Sequence, residues 1–226
     1  DIIYMLFSGN DVWAIVLFYI IFAFSFYFLI EYKFKDKLIA LYAAIAAVFI
    51  TPIIQMIIVG HNSKMIAVMM FPAVFLMLEK LYDFIAAGKI KENIFKILLY
   101  FGILVFFIHV QMSSNHVQML FYFFSGIGIY MVYRLVYNLV KKIDFKPALI
   151  LLVVFGLGVG LSAMMYADSY LSSREYNKYS IRGVPPITQA PGEQKTSGAA
   201  DYEYSTNWSF SPVEVMTFFV PYWVGF

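Results

Sequence analysis

The sequence predicts an all-α, polytopic integral membrane helical bundle. Three observations support this prediction: the composition, the long apolar runs and the lack of strand alternation. Of the 226 residues, 62% are hydrophobic and 13% are charged, with a mean hydropathy of +0.77. Soluble domains do not reach these values. Six runs approach the roughly 20 residues that a helix needs to cross a hydrocarbon core about 30 Å thick. None alternates like a barrel strand, and backbone groups in lipid must be satisfied internally, so all six are interpreted as helices.

The six predicted spans share long apolar sequence and few charges: 12–30, 38–59, 65–87, 94–112, 117–140 and 148–167. The third differs from the others because Glu79 interrupts it, so it must continue to Ala87 in order to cross. A polar outer loop follows at 168–212, and a further apolar segment starts at 213–226. We treat 1–226 as a single transmembrane domain. Because it begins without Met and stops inside an apolar run, we expect a central piece of a longer protein.

Lysine and arginine concentrate in alternate connections, at 31–37, 79–96 and 134–146. The positive-inside rule places these connections in the cytoplasm and the N-terminus outside. If the third run did not cross, the basic connections would fall on opposite sides, so the charge pattern favours its crossing. A net charge of +2 without a continuous basic face excludes nucleic acid as a partner. The absence of cysteine excludes disulfides and thiol nucleophiles.

The first outer connection, Gly60 to Lys64, has the composition of an anion site. It opens a helix for which Asn62 or Ser63 can serve as N-cap, so the first-turn N–H groups and the positive end of the helix dipole face the interface. His61 and Lys64 add donors, and the predicted ligand is a phosphate headgroup. The alternative is that Asn62 and Ser63 only cap the helix while Lys64 reaches towards water.

The second outer connection repeats this pattern. Asn115 or Ser114 can cap the fifth span, which places His116 in the first turn beside Gln118. We predict that His116 joins the phosphate site and that Asn115 and Gln118 orient the sugar or the histidine. A structural histidine satisfied by a carbonyl or water is the alternative. A divalent metal held by His61 and His116 also stays open, and no other cofactor is predicted.

The loop 168–212 combines a Gly, Ser, Thr and Pro-rich centre with flanking aromatic residues. Aromatic side chains stack on sugar faces, so Tyr176, Tyr179 and Trp208 are predicted to contact the sugar. Arg182 is predicted to join the phosphate site. The alternative for each ring is that it rests at the lipid interface.

Glycines in the sixth span predict helix packing. Gly156 and Gly160 have the GxxxG spacing that lets two helices approach closely. Because they lie inside an apolar span, they do not form a phosphate-binding loop.

Several ordered motifs resemble the YfhO family of bacterial membrane proteins over nearly the whole chain. These motifs are Gly60-His61-Asn62-Ser63-Lys64, Asn115-His116-Val117-Gln118, Tyr176 to Gly183, Lys195-Thr196-Ser197-Gly198, Asp201-Tyr202 with Trp208-Ser209, and Pro221 with Gly225. The resemblance implies a GT-C-like glycosyltransferase on the outer face of the bacterial cytoplasmic membrane. Its partners would be membrane lipid, a polyprenyl-phosphate sugar donor and a cell-envelope acceptor.

The resemblance also implies that the catalytic carboxylate lies upstream of Asp1. Within this chain the candidate outer acids are Asp168, Glu175 and Asp201, and none is singled out as the base. Two other functions stay open: a transporter or flippase of lipid-linked sugars, and a non-catalytic subunit of a membrane complex. The near absence of ionisable residues at the bilayer midplane favours the enzyme over the transporter, and the polar loop 168–212 argues against the subunit.

Overall fold

A computed structural model describes residues 11–177, 211–214 and 216. In this part of the chain it contains eight α-helices and no strand, which confirms the all-α prediction. The helices are α1 (Asp11–Phe34), α2 (Lys37–Val48), α3 (Thr51–Ile58), α4 (Asn62–Met69), α5 (Phe71–Ala86), α6 (Ile94–Ser113), α7 (Val117–Val140) and α8 (Lys146–Asn177).

These helices form six stretches that are long and apolar enough to cross a membrane, so the polytopic class is confirmed. The second stretch consists of α2 and α3, and the third of α4 and α5. A proline stands in the first turn of α3 and of α5, at Pro52 and Pro72. Proline lacks an N–H group and its ring clashes with the preceding turn, so each of these spans is broken at the residues before it.

The third stretch, formed by α4 and α5, is the centre of the bundle. Of its most apolar part 72% is buried, against at most 28% in any other stretch. The α5 helix packs against α1 and α6, and Phe71 at its start contacts Phe123 of α7. One buried cluster joins α5 to α6, α7 and α8, and a second joins α1, α3 and α4. The span that Glu79 interrupts is therefore the one that its neighbours shield from lipid.

The glycine at the packing face of α8 is Gly158, so the GxxxG prediction is wrong. A Cβ atom on Gly158 would lie 3.6–3.7 Å from side chains of α6, whereas Gly156 and Gly160 have no such neighbour within 4 Å. Ser162, one turn further on, donates from Oγ to the carbonyl of Val105 at 3.0 Å. Since each helical residue turns about 100°, positions two away from Gly158 lie on the opposite side of the helix.

The α8 helix extends further than the apolar sequence. Residues 168–177 are helical, whereas the sequence assigned them to the outer loop. This decapeptide contains neither proline nor glycine, so nothing in its local sequence ends the helix. Packing divides the chain into two units, 1–167 and 168–226.

Candidate functional site

The first predicted turn folds differently from the capping scheme that the sequence indicated. Gly60 has φ of +77°, a conformation that glycine adopts without strain, and it reverses the chain before α4. The N-cap position falls on His61, whose side chain makes no capping hydrogen bond. Asn62 and Ser63 lie inside the first turn, so the prediction that one of them caps the helix is wrong. His61 and Ser63 are exposed, and Asn62 and Lys64 are half-buried.

The second turn is also capped by its histidine. His116 is the N-cap of α7, and its Nδ1 atom accepts a hydrogen bond from the backbone N–H of Met119 at 3.4 Å. Asn115 has φ of 57°, and Ser114 is the C-cap of α6, so neither caps α7 as predicted. A neutral imidazole that accepts at Nδ1 carries its proton at Nε2. His116 therefore presents a donor, not a metal-binding lone pair, at its other nitrogen.

The two turns lie at the same depth on neighbouring helices. The α4 helix packs against α7, and the rings of Phe71 and Phe123 meet with centroids 4.5 Å apart. Lys64 precedes Phe71 by seven residues, and His116 precedes Phe123 by the same number. Because each residue rises 1.5 Å, both positions lie about 10 Å from this contact towards the same end of the bundle. The fold thus brings the Gly60–Lys64 and Asn115–His116 turns to one end.

Lys64 is a half-buried cation at this end. In the described ranges no carboxylate lies within ion-pair distance of it. Asn62 and Ser63 precede it in α4, and Met65, which follows it, is completely buried. An amine in this position retains its donors for an external anion.

The two predicted orienting residues each have a tyrosine partner. Asn115 accepts with Oδ1 from the hydroxyl of Tyr166 at 3.0 Å, which ties this turn to α8. Gln118 donates from Nε2 to the hydroxyl oxygen of Tyr122 at 2.9 Å. Since Asn115 uses its oxygen in this bond, its Nδ2 group is the end that can donate to a ligand.

Gln111 joins the helix that precedes the second turn to the helix that carries Lys64. Its side chain, near the end of α6, is fully buried. Its Nε2 atom donates to the carbonyl oxygen of Ala67 at 2.7 Å, which links α6 to α4. Ser114 donates from Oγ to the backbone carbonyl of Gln111 at 2.6 Å. These bonds fix the second turn against the helix that carries Lys64.

The remaining predicted site residues belong to the second unit, 168–226. Asp168, Glu175 and Tyr176 lie on the last turns of α8, and all three are exposed. Four further residues lie outside the described residues: Tyr179, Arg182, Asp201 and Trp208. Among the described residues, no three His, Asp or Glu side chains come together as a metal site would require.

No protein-family model, curated protein or solved structure matches the chain. The resemblance to the YfhO family therefore stays a prediction from the sequence motifs.

A buried ionic cluster, formed by Glu79, Lys33, Arg134 and Tyr130, lies at the other end of the bundle. Glu79 on α5 is only 1% exposed. One carboxylate oxygen accepts from Nζ of Lys33 at 2.5 Å, and the other accepts from Nη1 of Arg134 at 2.8 Å and from the hydroxyl of Tyr130. A buried carboxylate is tolerated only when it is paired and hydrogen-bonded in this way.

Aromatic and polar contacts surround this cluster. The guanidinium of Arg134 stacks over the ring of Tyr82 at 3.4 Å, and Asn138 donates to the Tyr82 hydroxyl oxygen at 3.0 Å. Tyr32 donates to Asp83 on the neighbouring turn of α5. The ends of α1, α5 and α7 therefore meet on one side, where the basic connections also begin. We call this the basic side of the bundle.

Sequence reasoning missed the Glu79 cluster because it treated each span separately. The partners of Glu79 are 46 and 55 residues away along the chain. One signal was present: Lys33, Glu79 and Arg134 all fall within two turns of the span ends that the charge pattern assigned to one side. An opposite charge at matching depth on neighbouring spans is the arrangement expected of a paired intramembrane residue.

Proposed function

We propose that this chain is the central part of a GT-C-like membrane glycosyltransferase. It would move a sugar from a polyprenyl-phosphate donor to a cell-envelope acceptor on the outer face of a bacterial cytoplasmic membrane. The observation that carries the proposal is the placement of Lys64 and His116 at one depth on adjacent helices, each half-buried and each presenting a donor. An anionic headgroup at the membrane surface is the ligand that suits this arrangement.

The proposed chemistry assigns these residues to the leaving group. The bond between the sugar carbon and the donor phosphate breaks, the acceptor oxygen bonds to that carbon, and the acceptor proton passes to a base. Negative charge then grows on the departing lipid phosphate. The Lys64 ammonium and the Nε2–H of His116 would stabilise it, with His61, the first-turn N–H groups of α4 and Arg182 as further donors.

The orientation in the membrane follows from the positive-inside rule. The basic side, which holds the Glu79 cluster, would face the cytoplasm, and the two histidine turns would face outwards. No nucleotide pool is available there, so the donor must arrive already activated. This requirement supports a lipid-phosphate sugar as the substrate class.

A transporter of lipid-linked sugars is the second candidate, favoured by two observations. The second and third spans are broken at prolines, as the discontinuous helices of many transporters are. The third span also carries the buried Glu79. Glu79 lies seven residues, or about 10 Å, from the end of α5 on the basic side, which is nearer the membrane surface than a midplane transport site.

Replacement of Lys64 tests the proposed enzyme. In the full-length protein, Lys64→Ala removes a charge-assisted contact to phosphate, which contributes about 1.5–3 kcal/mol. We expect a loss of transfer from a polyprenyl-phosphate sugar of about tenfold or more. Lys141→Ala, at an exposed position on the basic side, is the matched control and should retain activity. Transfer within twofold of the wild type by the Lys64 variant would show that this residue is only an interfacial anchor.

A further inference from the structure

An apolar cavity of about 600 Å³ opens beside the break in the second span. Its walls come from α1, α2, α3 and the junction of α4 with α5. Phe22 and Ala47 line one part, and Ile53, Pro52 and Pro72 line another. Among the residues that line it, none carries a polar side chain.

The two proline breaks create this space. Pro52 interrupts the packing of the second span and Pro72 that of the third, and both prolines line the cavity. Opposite them, α2 presents the small side chains of Ala43, Ala46 and Ala47. Short side chains facing two broken helices leave a volume that no group of the described chain fills.

The cavity lies at hydrocarbon depth. Along the second span, Pro52 and Ala43 are six and fifteen residues from Ile58, which corresponds to about 9 Å and 22 Å below that end of the span. A hydrocarbon core is about 30 Å thick, so the space runs through its central part. Water at this depth would find no polar partner in the lining, and it needs two to four.

The cavity also has access to the bilayer. Ala46, Ile50 and Pro52 line it and are exposed on the outer surface of the bundle, whereas Phe22 and Ile53 line it and are buried. A void destabilises a fold in proportion to its volume, and 600 Å³ is within the range of pockets that hold a ligand. A filled cavity open to lipid is therefore favoured over an empty one.

We propose that one acyl chain of a bilayer phospholipid occupies this cavity as a bound lipid. The chain enters past Ile50 and lies along α2 against Phe22 and Ile53. It completes the packing that the two proline breaks interrupt. This inference does not depend on the proposed transfer reaction.

Photocrosslinking in vesicles tests the bound acyl chain. The protein is reconstituted in phosphatidylglycerol and phosphatidylethanolamine with a phospholipid that carries a diazirine on its acyl chain, and the crosslinks are mapped by mass spectrometry. We expect labelling at Ile53 and Phe22, which are only 4% and 5% exposed. Ile127, buried at 1% in the other cluster, is the internal reference and should not be labelled.

Filling the cavity provides the matched comparison. Ala47→Phe, or the smaller change Ala43→Leu, should reduce labelling at Ile53 by about tenfold or more, because each methylene displaced from apolar contact changes affinity severalfold. Ala163→Phe adds the same ring at an exposed position on α8 and should leave labelling unchanged. Labelling of Ile53 no stronger than that of Ile127 in the wild-type protein would overturn the proposal. It would also be overturned if a polyprenyl-phosphate probe labelled Ile53 and the phospholipid probe did not.

Discussion

At the scale of single residues, the Glu79 cluster shows how a charge is accommodated inside a membrane bundle. Hydropathy counts Glu79 as a cost to the third span, and for that reason the sequence made this span the hardest to assign. The structure surrounds the carboxylate with Lys33, Arg134 and Tyr130. Because the span is central, its charge meets protein groups instead of lipid, and the cost is offset locally.

The partners of Glu79 should differ in their effect on stability. Arg134 has a side chain that is 18% exposed, against 39% for Lys33. We expect Glu79→Gln to destabilise the protein by about 3–5 kcal/mol, since it leaves the Arg134 guanidinium without its carboxylate. Arg134→Gln should cost less because Lys33 still pairs with Glu79. Lys33→Gln should cost least because water already reaches Lys33. Thermal unfolding in detergent measures the loss of stability of each variant and so ranks the three.

An exposed ion pair serves as the control for this series. Lys89 and Glu92 lie 3.8 Å apart with side chains 66% and 71% exposed, so Lys89→Gln should change stability by less than about 1 kcal/mol. The double variant Glu79→Gln/Arg134→Gln should lose less than the sum of the two single changes, because the second change removes the guanidinium that the first leaves unpaired. Equal effects of Glu79→Gln and Lys89→Gln would contradict the assignment of Glu79 as a buried, paired charge.

The turns illustrate a different limit of sequence reasoning at the residue scale. Residue preference correctly marked both turns as helix starts, but it named the wrong caps. Gly60 and Asn115 both adopt positive φ, and this places the following histidine at the N-cap in each turn. The cap position follows from where the chain reverses, which a preference for Asn or Ser does not encode.

At the scale of elements, the six spans could be predicted because each is a local property of its own sequence. The breaks within the spans and the faces that contact other helices could not be predicted in this way. Pro52 and Pro72 stand within apolar runs that hydropathy reads as continuous. Gly158 faces α6 while Gly156 and Gly160 do not. Spacing identifies residues that share a face, whereas the neighbouring helix decides which face is used.

Substitutions of these glycines test the packing of α8. The ideal Cβ distances of 3.6–3.7 Å at Gly158 are ordinary contacts, so Gly158→Ala should be tolerated. Gly158→Leu should destabilise by about 1–3 kcal/mol because the larger side chain meets Leu104 and Ile108. Thermal unfolding in detergent gives both values. Gly160→Leu is the matched control, and a destabilisation equal to that of Gly158→Leu would restore the GxxxG face.

At the scale of the whole molecule, charge and contacts lead to the same grouping of helix ends. The charge pattern assigned three basic connections to one side. The Glu79 cluster joins α1, α5 and α7, the three helices that lead into these connections. The contact between Phe71 and Phe123 relates the two histidine turns at the other end. The sequence could predict which helix ends share a side, because successive spans joined by short turns alternate in direction.

The direction of the whole bundle is tested by accessibility of single cysteines, which the cysteine-free chain makes simple to introduce. Ser63 and Gln118 are exposed at the histidine turns, and Lys91 is exposed in the connection after α5. Because basic connections are retained in the cytoplasm, cysteine at position 63 or 118 should react with an impermeant maleimide in intact cells. Cysteine at position 91 should react only after the membrane is permeabilised. The opposite labelling pattern would move the histidine turns to the cytoplasm and remove the reason for a lipid-phosphate donor, since soluble activated sugars would then be available to the site.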